Sequence, residues 1–168
     1  MMHVSEHEGE AMGMDARPTN LRCSALVLRE DTMLLCQRVA DWVLPGGTPR
    51  DGETVAACVR REAREETGLA VTPESVAFVL DATNSEFDQH LVEIVFLCAE
   101  DADTYLPPQC TEAGLVPAFV PLDHLPRMTV QPPIGGHIRA FHHAGNGRTA
   151  AYLGNVWRPG TGTALRSS

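Results

Sequence analysis

The chain contains no lysine; all 13 of its basic residues are arginine. That excludes Schiff-base chemistry and any phosphate loop that relies on a lysine ammonium. Basic clustering is missing too. Apart from Arg60-Arg61 and Arg64, which lie among glutamates, positive charge is scattered, and the net charge is −9. Binding to nucleic-acid duplexes is therefore not expected, because neutralising phosphates requires a basic surface. An anionic nucleotide is compatible with this balance if a divalent cation screens the carboxylates. The chain also lacks CxxC pairs. Cys23, Cys36, Cys58, Cys98 and Cys110 are widely and irregularly spaced. They read as reduced thiols acting as small hydrophobes, the alternative being a zinc site or a disulfide framework. No apolar run approaches the ~20 residues of a membrane-spanning helix. The first twenty residues lack the apolar segment of a signal peptide, which leads to the expectation of a cytoplasmic protein.

What is present is enough for one folded domain. The 168 residues are 43% hydrophobic, which suits a globular chain of single-domain size. Residues 1–20 are polar and aperiodic and read as a flexible N-terminal arm. Residues 21–157 carry the domain, and 158–168 form a polar tail. Leu21 to Arg29 and Thr32 to Arg38 read as a hairpin turned at Glu30-Asp31. Trp42-Val43-Leu44 is a short apolar run stopped by Pro45-Gly46-Gly47. Thr54 to Glu66 reads as a helix closed by Thr67-Gly68. Ser75 to Leu80 and Leu91 to Ala99 read as strands, the second apolar enough to be central. Leu115 to Val120 reads as a strand whose Pro117 suggests an edge or a bulge. Pro132 to His143 reads as a second helix, and Ala150 to Trp157 as a last strand. This order implies a mixed sheet between helices, an α/β fold.

The segment Gly47 to Leu69, GTPRDGETVAACVRREAREETGL, carries the chemistry. On a helical wheel with Val55 at the origin, Val59 falls at about 40° and Ala63 at about 80°. Glu66 falls at about 20°, Glu62 at about 340° and Glu65 at about 280°. One face thus begins apolar and ends in carboxylates, with Arg60 and Arg64 pointing away. Glu62 and Glu66 repel at i,i+4, and all three acids sit at the helix end that disfavours anions. A bound divalent cation reverses the sign of both effects. Mg²⁺ fits, since it takes a few carboxylates together with waters and substrate phosphates. Gly46 and Gly47 allow close backbone approach to a ligand, and Gly52 turns the chain before the helix. Glu53 reads as an N-terminal carboxylate favoured by the helix dipole. Arg61 is placed to pair with Glu65 and to orient the acids.

These residues resemble the Nudix box, G-x5-E-x7-R-E-U-x-E-E-x-G-U, where U is a bulky aliphatic residue. Gly47, Glu53, Arg61-Glu62, Glu65-Glu66, Gly68 and Leu69 occupy its positions, and Ala63 is a small member at the first U. The resemblance implies a Nudix-type α/β/α sandwich with a mixed β-sheet and a catalytic loop–helix–loop. It implies Glu62, Glu65 and Glu66 as metal-binding and acid–base carboxylates, with Glu53 supporting the metal shell and Arg61 orienting it. Gly46 joins the implied metal ligands, as does Glu112, which matches a position where MutT-type members often carry a glutamate. Arg38, Leu44, Gly46 and Gly47 are the implied substrate contacts. Mg²⁺ is the implied cofactor, with Mn²⁺ as a substitute. The implied reaction is water attack on a pyrophosphate linkage in a nucleoside di- or triphosphate, or in a nucleoside diphosphate linked to another moiety X. Phe87-Asp88-Gln89-His90 also looks MutT-like. The tags of ADP-ribose, NADH and dinucleoside polyphosphate subfamilies are absent, which leaves a MutT-like nucleotide hydrolase as the default. Two alternatives stay open: a nucleotide-sugar or ADP-ribose type of pyrophosphatase, and a Nudix-fold binding or regulatory module without turnover. Such modules often lose box acids, and this chain has lost none. His90 is a candidate near the site; His124, His137, His142 and His143 read as surface or helix-face residues. The sequence does not choose between monomer and homodimer, nor among the glutamates for the general base.

Overall fold

A computed structural model of the chain describes residues 18–84, 89–101, 108–109, 114–145 and 150–157. In chain order the strands are β1 (Thr19–Arg29), β2 (Thr32–Gln37), β3 (Trp42–Val43) and β4 (Gly46–Gly47), followed by helix α1 (Val55–Thr67). Then come β5 (Val71–Asn84), β6 (Gln89–Glu100), β7 (Val116–Pro121), a 3₁₀ turn at Leu122–Arg127 and β8 (Val130–Gln131). Helix α2 (Gly135–His143) and β9 (Ala151–Asn155) complete the order. The strands form a mixed sheet in the order β8-β3-β2-β1-β6-β5-β9, with β4 added to β1 and β7 to β2. β1 runs parallel to β6, and β5 runs antiparallel to β6.

β6 is central, as its apolar run requires. One side of the sheet packs Leu26, Phe78, Leu80 and Val95 against Ile134, Ile138 and Phe141 of the α2 region. The other side packs Cys23, Ala25, Val27 and Cys98 against Cys58, Val59 and Ala63 of α1. The two helices therefore cover opposite faces, and the α/β sandwich expected from the sequence is present. Cys23, Cys36, Cys58 and Cys98 are buried. Burial in apolar surroundings pushes the Cys23 thiol up to about 12, with the neighbouring Cys58 adding to the shift. Cys110 lies outside the described residues.

Several boundaries differ from the sequence reading, and four of the differences change how the elements pack. The arm was expected to run through residue 20, but β1 begins at Thr19 because Thr19 and Asn20 extend the parallel ladder opposite His90 and Leu91. β5 is 14 residues long and not six, since irregularities at Pro73/Ser75 and Val76/Phe78 break the alternation that marks a strand in sequence. Gly46-Gly47, read as a stop, forms β4 opposite Cys23 and Ser24. Helix α2 starts at Gly135, so its glycines open the helix and do not interrupt it. β7 pairs with β2 along its whole length, and Pro117 sits opposite Cys36.

Helix α1 has defined ends. Thr54 is extended and its Oγ1 accepts from the Ala57 N–H at 3.2 Å. Gly68 adopts φ +73°, and its N–H donates to the Arg64 carbonyl at 3.0 Å. A left-handed residue here is why glycine closes the helix. Removing the N-terminal hydroxyl in Thr54→Ala should lower unfolding free energy by about 1 kcal/mol. A urea titration should show this as a lower midpoint with an unchanged slope.

Candidate active site

The site is assembled where β4 is pinned between β1 and α1. The Ala25 N–H donates to the Pro45 carbonyl at 2.8 Å, and Ser24 and Cys23 face Gly46 and Gly47 across the ladder. Both glycines are required by their neighbours. A Cβ on Gly46 would lie 2.5 Å from Ser24 Oγ and 2.7 Å from Ser24 Cα. A Cβ on Gly47 would lie 2.5 Å from Glu62 Cδ. The close approach inferred from these glycines is thus made to the protein's own groups: one strand on one side, a box carboxylate on the other.

Glu66 is buried, and its Oε2 accepts from the Gly46 N–H at 2.8 Å. The wheel position of Glu66 on the apolar face accounts for that burial. Arg61 is the hub of the remaining acids. Its Nε and Nη2 each donate to one oxygen of Glu53 at 2.8 Å. Its Nη1 donates to Glu62 at 2.6 Å and to Glu65 at 3.1 Å. These carboxylates raise the already high pKa of the guanidinium, with the Glu53 hydrogen bonds contributing most. Glu65 is the most exposed of the set, and Arg50 Nη2 reaches it at 3.3 Å. Beneath the hub, Cys58 Sγ lies 3.5 Å from the Gly47 carbonyl.

Glu53 was expected to serve the helix N-terminus directly. The cap is Thr54, and Glu53 is turned back onto Arg61 and the Arg50 N–H, which donates to it at 2.9 Å. The hydrogen bonds from Arg61 and then from Arg50 hold its carboxyl down at about 2. Arg50 and Cys58 were not singled out from sequence. Arg50 stands in a polar loop, and only folding places it beside two box acids.

The other expected residues are distributed as follows. Arg38 forks onto the Asp41 carboxylate at 2.6 and 2.7 Å. This closes the β2–β3 connection, and among the described residues no hydrogen bond or ion pair joins Arg38 to the box. Leu44 is buried, and its carbonyl accepts from Arg22 Nη2 at 3.2 Å. His90 bonds Asp81 at 2.8 Å and Thr19 at 3.2 Å, a separate polar group at the start of β6. Glu112, Phe87 and Asp88 lie outside the described residues. Sequence reasoning passed over Glu93, which interrupts the apolar run of β6 and is fully buried against Ser24 and Arg22. A lone acid inside such a run was the available signal.

The donor set of Glu62, Glu65, Glu66 and the Gly46 backbone is all hard oxygen, which fits Mg²⁺. Among the described residues, no three His, Cys, Asp or Glu side chains form a cage that could hold a metal ion on their own. Mg²⁺ ordinarily completes its shell with water and phosphate, so an open set of carboxylates is compatible with it.

Residues 18–141 match the NUDIX domain family. The chain belongs to that family. A "MutT-like protein" of Streptomyces ambofaciens is 38% identical over 78 residues, covering 45% of this chain and 48% of the relative. The match thus spans about half the length of that curated protein. A MutT NUDIX hydrolase from Burkholderia pseudomallei has a solved structure similar to this NUDIX domain. It is 27% identical, covers 63% of this chain and 85% of its own, and has a TM-score of 0.56. An ADP-ribose pyrophosphatase from Streptococcus suis shares the fold with a TM-score of 0.63 at 22% identity, covering 81% of this chain and 98% of its own.

Two outcomes follow from this geometry. Gly46→Ala meets backbone that cannot move away and should cost roughly 1–3 kcal/mol of stability. Gly47→Ala meets the end of a flexible side chain, so it should unfold near the wild-type urea midpoint while displacing Glu62. The second outcome concerns pH. The Glu53 carboxyl is depressed in the folded state, so its contribution to stability is complete above its ordinary value of about 4.5. That contribution shrinks as pH falls and is gone below about 2. The Tm difference between wild type and Glu53→Gln should be positive and flat above pH 5, then close to zero near pH 2.

Proposed function

We propose that this NUDIX protein is a Mg²⁺-dependent hydrolase, with Mn²⁺ as a substitute, that cleaves a pyrophosphate linkage in a nucleotide substrate. The observation that carries this reading is the placing of Glu66 on the Gly46 N–H and of Glu62 against Gly47, with Arg61 clasping Glu53, Glu62 and Glu65. Such an arrangement is costly for a helix end without a cation to serve.

Glu62, Glu65, Glu66 and the Gly46 carbonyl would hold the cation, which supplies charge neutralisation on phosphate oxygens and a more acidic bound water. The chain's own groups do the rest. A carboxylate of this cluster accepts a proton from the attacking water as its oxygen bonds to phosphorus. The bridging P–O bond breaks, and the second phosphate leaves with the electron pair. Arg61 keeps Glu62 and Glu65 oriented, and the Gly46 N–H keeps Glu66 oriented. Glu53 completes the guanidinium's coordination, so that Arg61 does not turn toward the substrate. Arg38, Leu44, Gly46 and Gly47 are the proposed substrate contacts, and Glu112 a further ligand by resemblance to MutT-type members.

The substrate is a nucleoside di- or triphosphate, or a nucleoside diphosphate linked to another moiety. The fold is shared with an ADP-ribose pyrophosphatase and a UDP-X diphosphatase, which supports the wider class. A panel of nucleoside triphosphates, nucleotide sugars and ADP-ribose, incubated with MgCl₂ and resolved by mass spectrometry, tests the proposal. Hydrolysis of at least one member is expected, together with loss on adding a chelator. Glu66→Gln should lower kcat by about 100-fold or more with unchanged circular dichroism. No turnover of any member, or turnover indifferent to Glu66→Gln, would sink the reading.

A further inference from the structure

The sheet face opposite the box carboxylates holds a polar group inside an otherwise apolar layer. Glu93 on β6 lies between Arg22 on β1 and Leu80 on β5, with Leu91 and Val95 before and after it on the same face. Its side chain is 1% exposed. Ser24 Oγ donates to its Oε1, and Arg22 Nε stands 3.7 Å from the same oxygen. Its Oε2 is buried and has no hydrogen-bond partner among the described residues. Burial therefore raises the Glu93 carboxyl, and Arg22 and Ser24 offset only part of that effect.

This group lies beside the segment that leads into the box. Ser24 is opposite Gly46, whose N–H holds Glu66, and Arg22 donates to the carbonyl of Leu44, two residues earlier. The short segment from Leu44 to Gly46 thus separates the carboxylates from the Arg22–Ser24–Glu93 group. Such a group would serve a ligand whose phosphates sit at the carboxylates and whose other end passes Leu44. Arg22 is its partly exposed member, with a side chain 16% exposed that donates to the Leu44 carbonyl at 3.2 Å.

We propose that Glu93 is the specificity-determining residue of a nucleobase subsite, in which its unpartnered oxygen accepts from the exocyclic amino group of the base. Arg22 offers a donor to a ring or carbonyl acceptor beside that amino group, and Ser24 fixes the carboxyl's orientation. Adenine, guanine and cytosine carry such an amino group. Uracil and thymine present a carbonyl oxygen at the corresponding place, which faces Glu93 acceptor to acceptor. The inference rests on the reading of the chain as a nucleotide hydrolase, and it names the class of base that the site takes.

Equilibrium binding of methylene-bridged ADP, GDP, CDP and UDP analogues, measured by calorimetry with MgCl₂, separates the two ideas because it requires no turnover. Wild type should bind at least one amino-bearing analogue roughly tenfold or more tightly than the UDP analogue. Glu93→Gln, whose amide can donate to a uracil carbonyl, should remove or invert that preference. Ser24→Ala, which leaves the carboxylate in place without its anchor, should reduce it and guards against misfolding of the first variant. Equal binding of all four analogues by wild type, no binding of any, or a preference unchanged in both variants would overturn the inference. Base-selective binding without hydrolysis of the natural nucleotides would instead overturn the proposed reaction and leave the subsite standing.

Discussion

The site depends on one guanidinium. Arg61 stands among Glu53, Glu62 and Glu65 and satisfies them with bonds of 2.6 to 3.1 Å. Without it, acids crowded at the end of a helix would repel one another and the helix dipole. A planar fork with five donors can hold three carboxylates in separate directions at once; a lysine ammonium, a point charge on a flexible stem, cannot fix them in the same way. Glu66 escapes the crowd by another route, the Gly46 N–H, which also explains how a carboxylate can be tolerated at 5% exposure.

The two glycines of β4 set the distance between the helix and the sheet. Gly46 lets β4 lie against Ser24, and Gly47 leaves room for Glu62. A side chain at Gly46 would push β4 off β1, and one at Gly47 would displace the Glu62 carboxylate. The loop is therefore held on one side by the β1 ladder and on the other by the helix acids, and the Thr54 and Gly68 caps keep that helix from sliding. Stability and site geometry share these contacts.

β1 divides two chemistries. On its α1 face, carboxylates are paired with arginine or a backbone N–H. On its other face, Glu93 is buried with one oxygen unpaired among the described residues. A buried polar group without a partner costs about 1–3 kcal/mol, more if charged. A leucine at this position would pack with Leu80 and Val95 at no such cost. The expense makes sense where a ligand supplies the missing donor.

Much of the box was legible in the chain because a helix places residues by local spacing alone. Val59, Ala63 and Glu66 are buried and Arg60 and Arg64 exposed, as their angles about the axis require. The central strand was equally plain, since seven residues of nearly continuous apolar character have few other homes. What local spacing could not reach was everything made by non-local pairing. The extra length of β5 was hidden by its irregular register, and β4 exists only because β1 lies beside it. Glu53 looked like a helix-end charge until Arg61, a turn of chain and helix away, took both of its oxygens. The identity of the acids and their common face followed from the order of residues. Which acid is buried, which is clasped and which oxygen is left unpaired was decided by tertiary structure, because hydrogen-bond partners are fixed by how strands and helices come together.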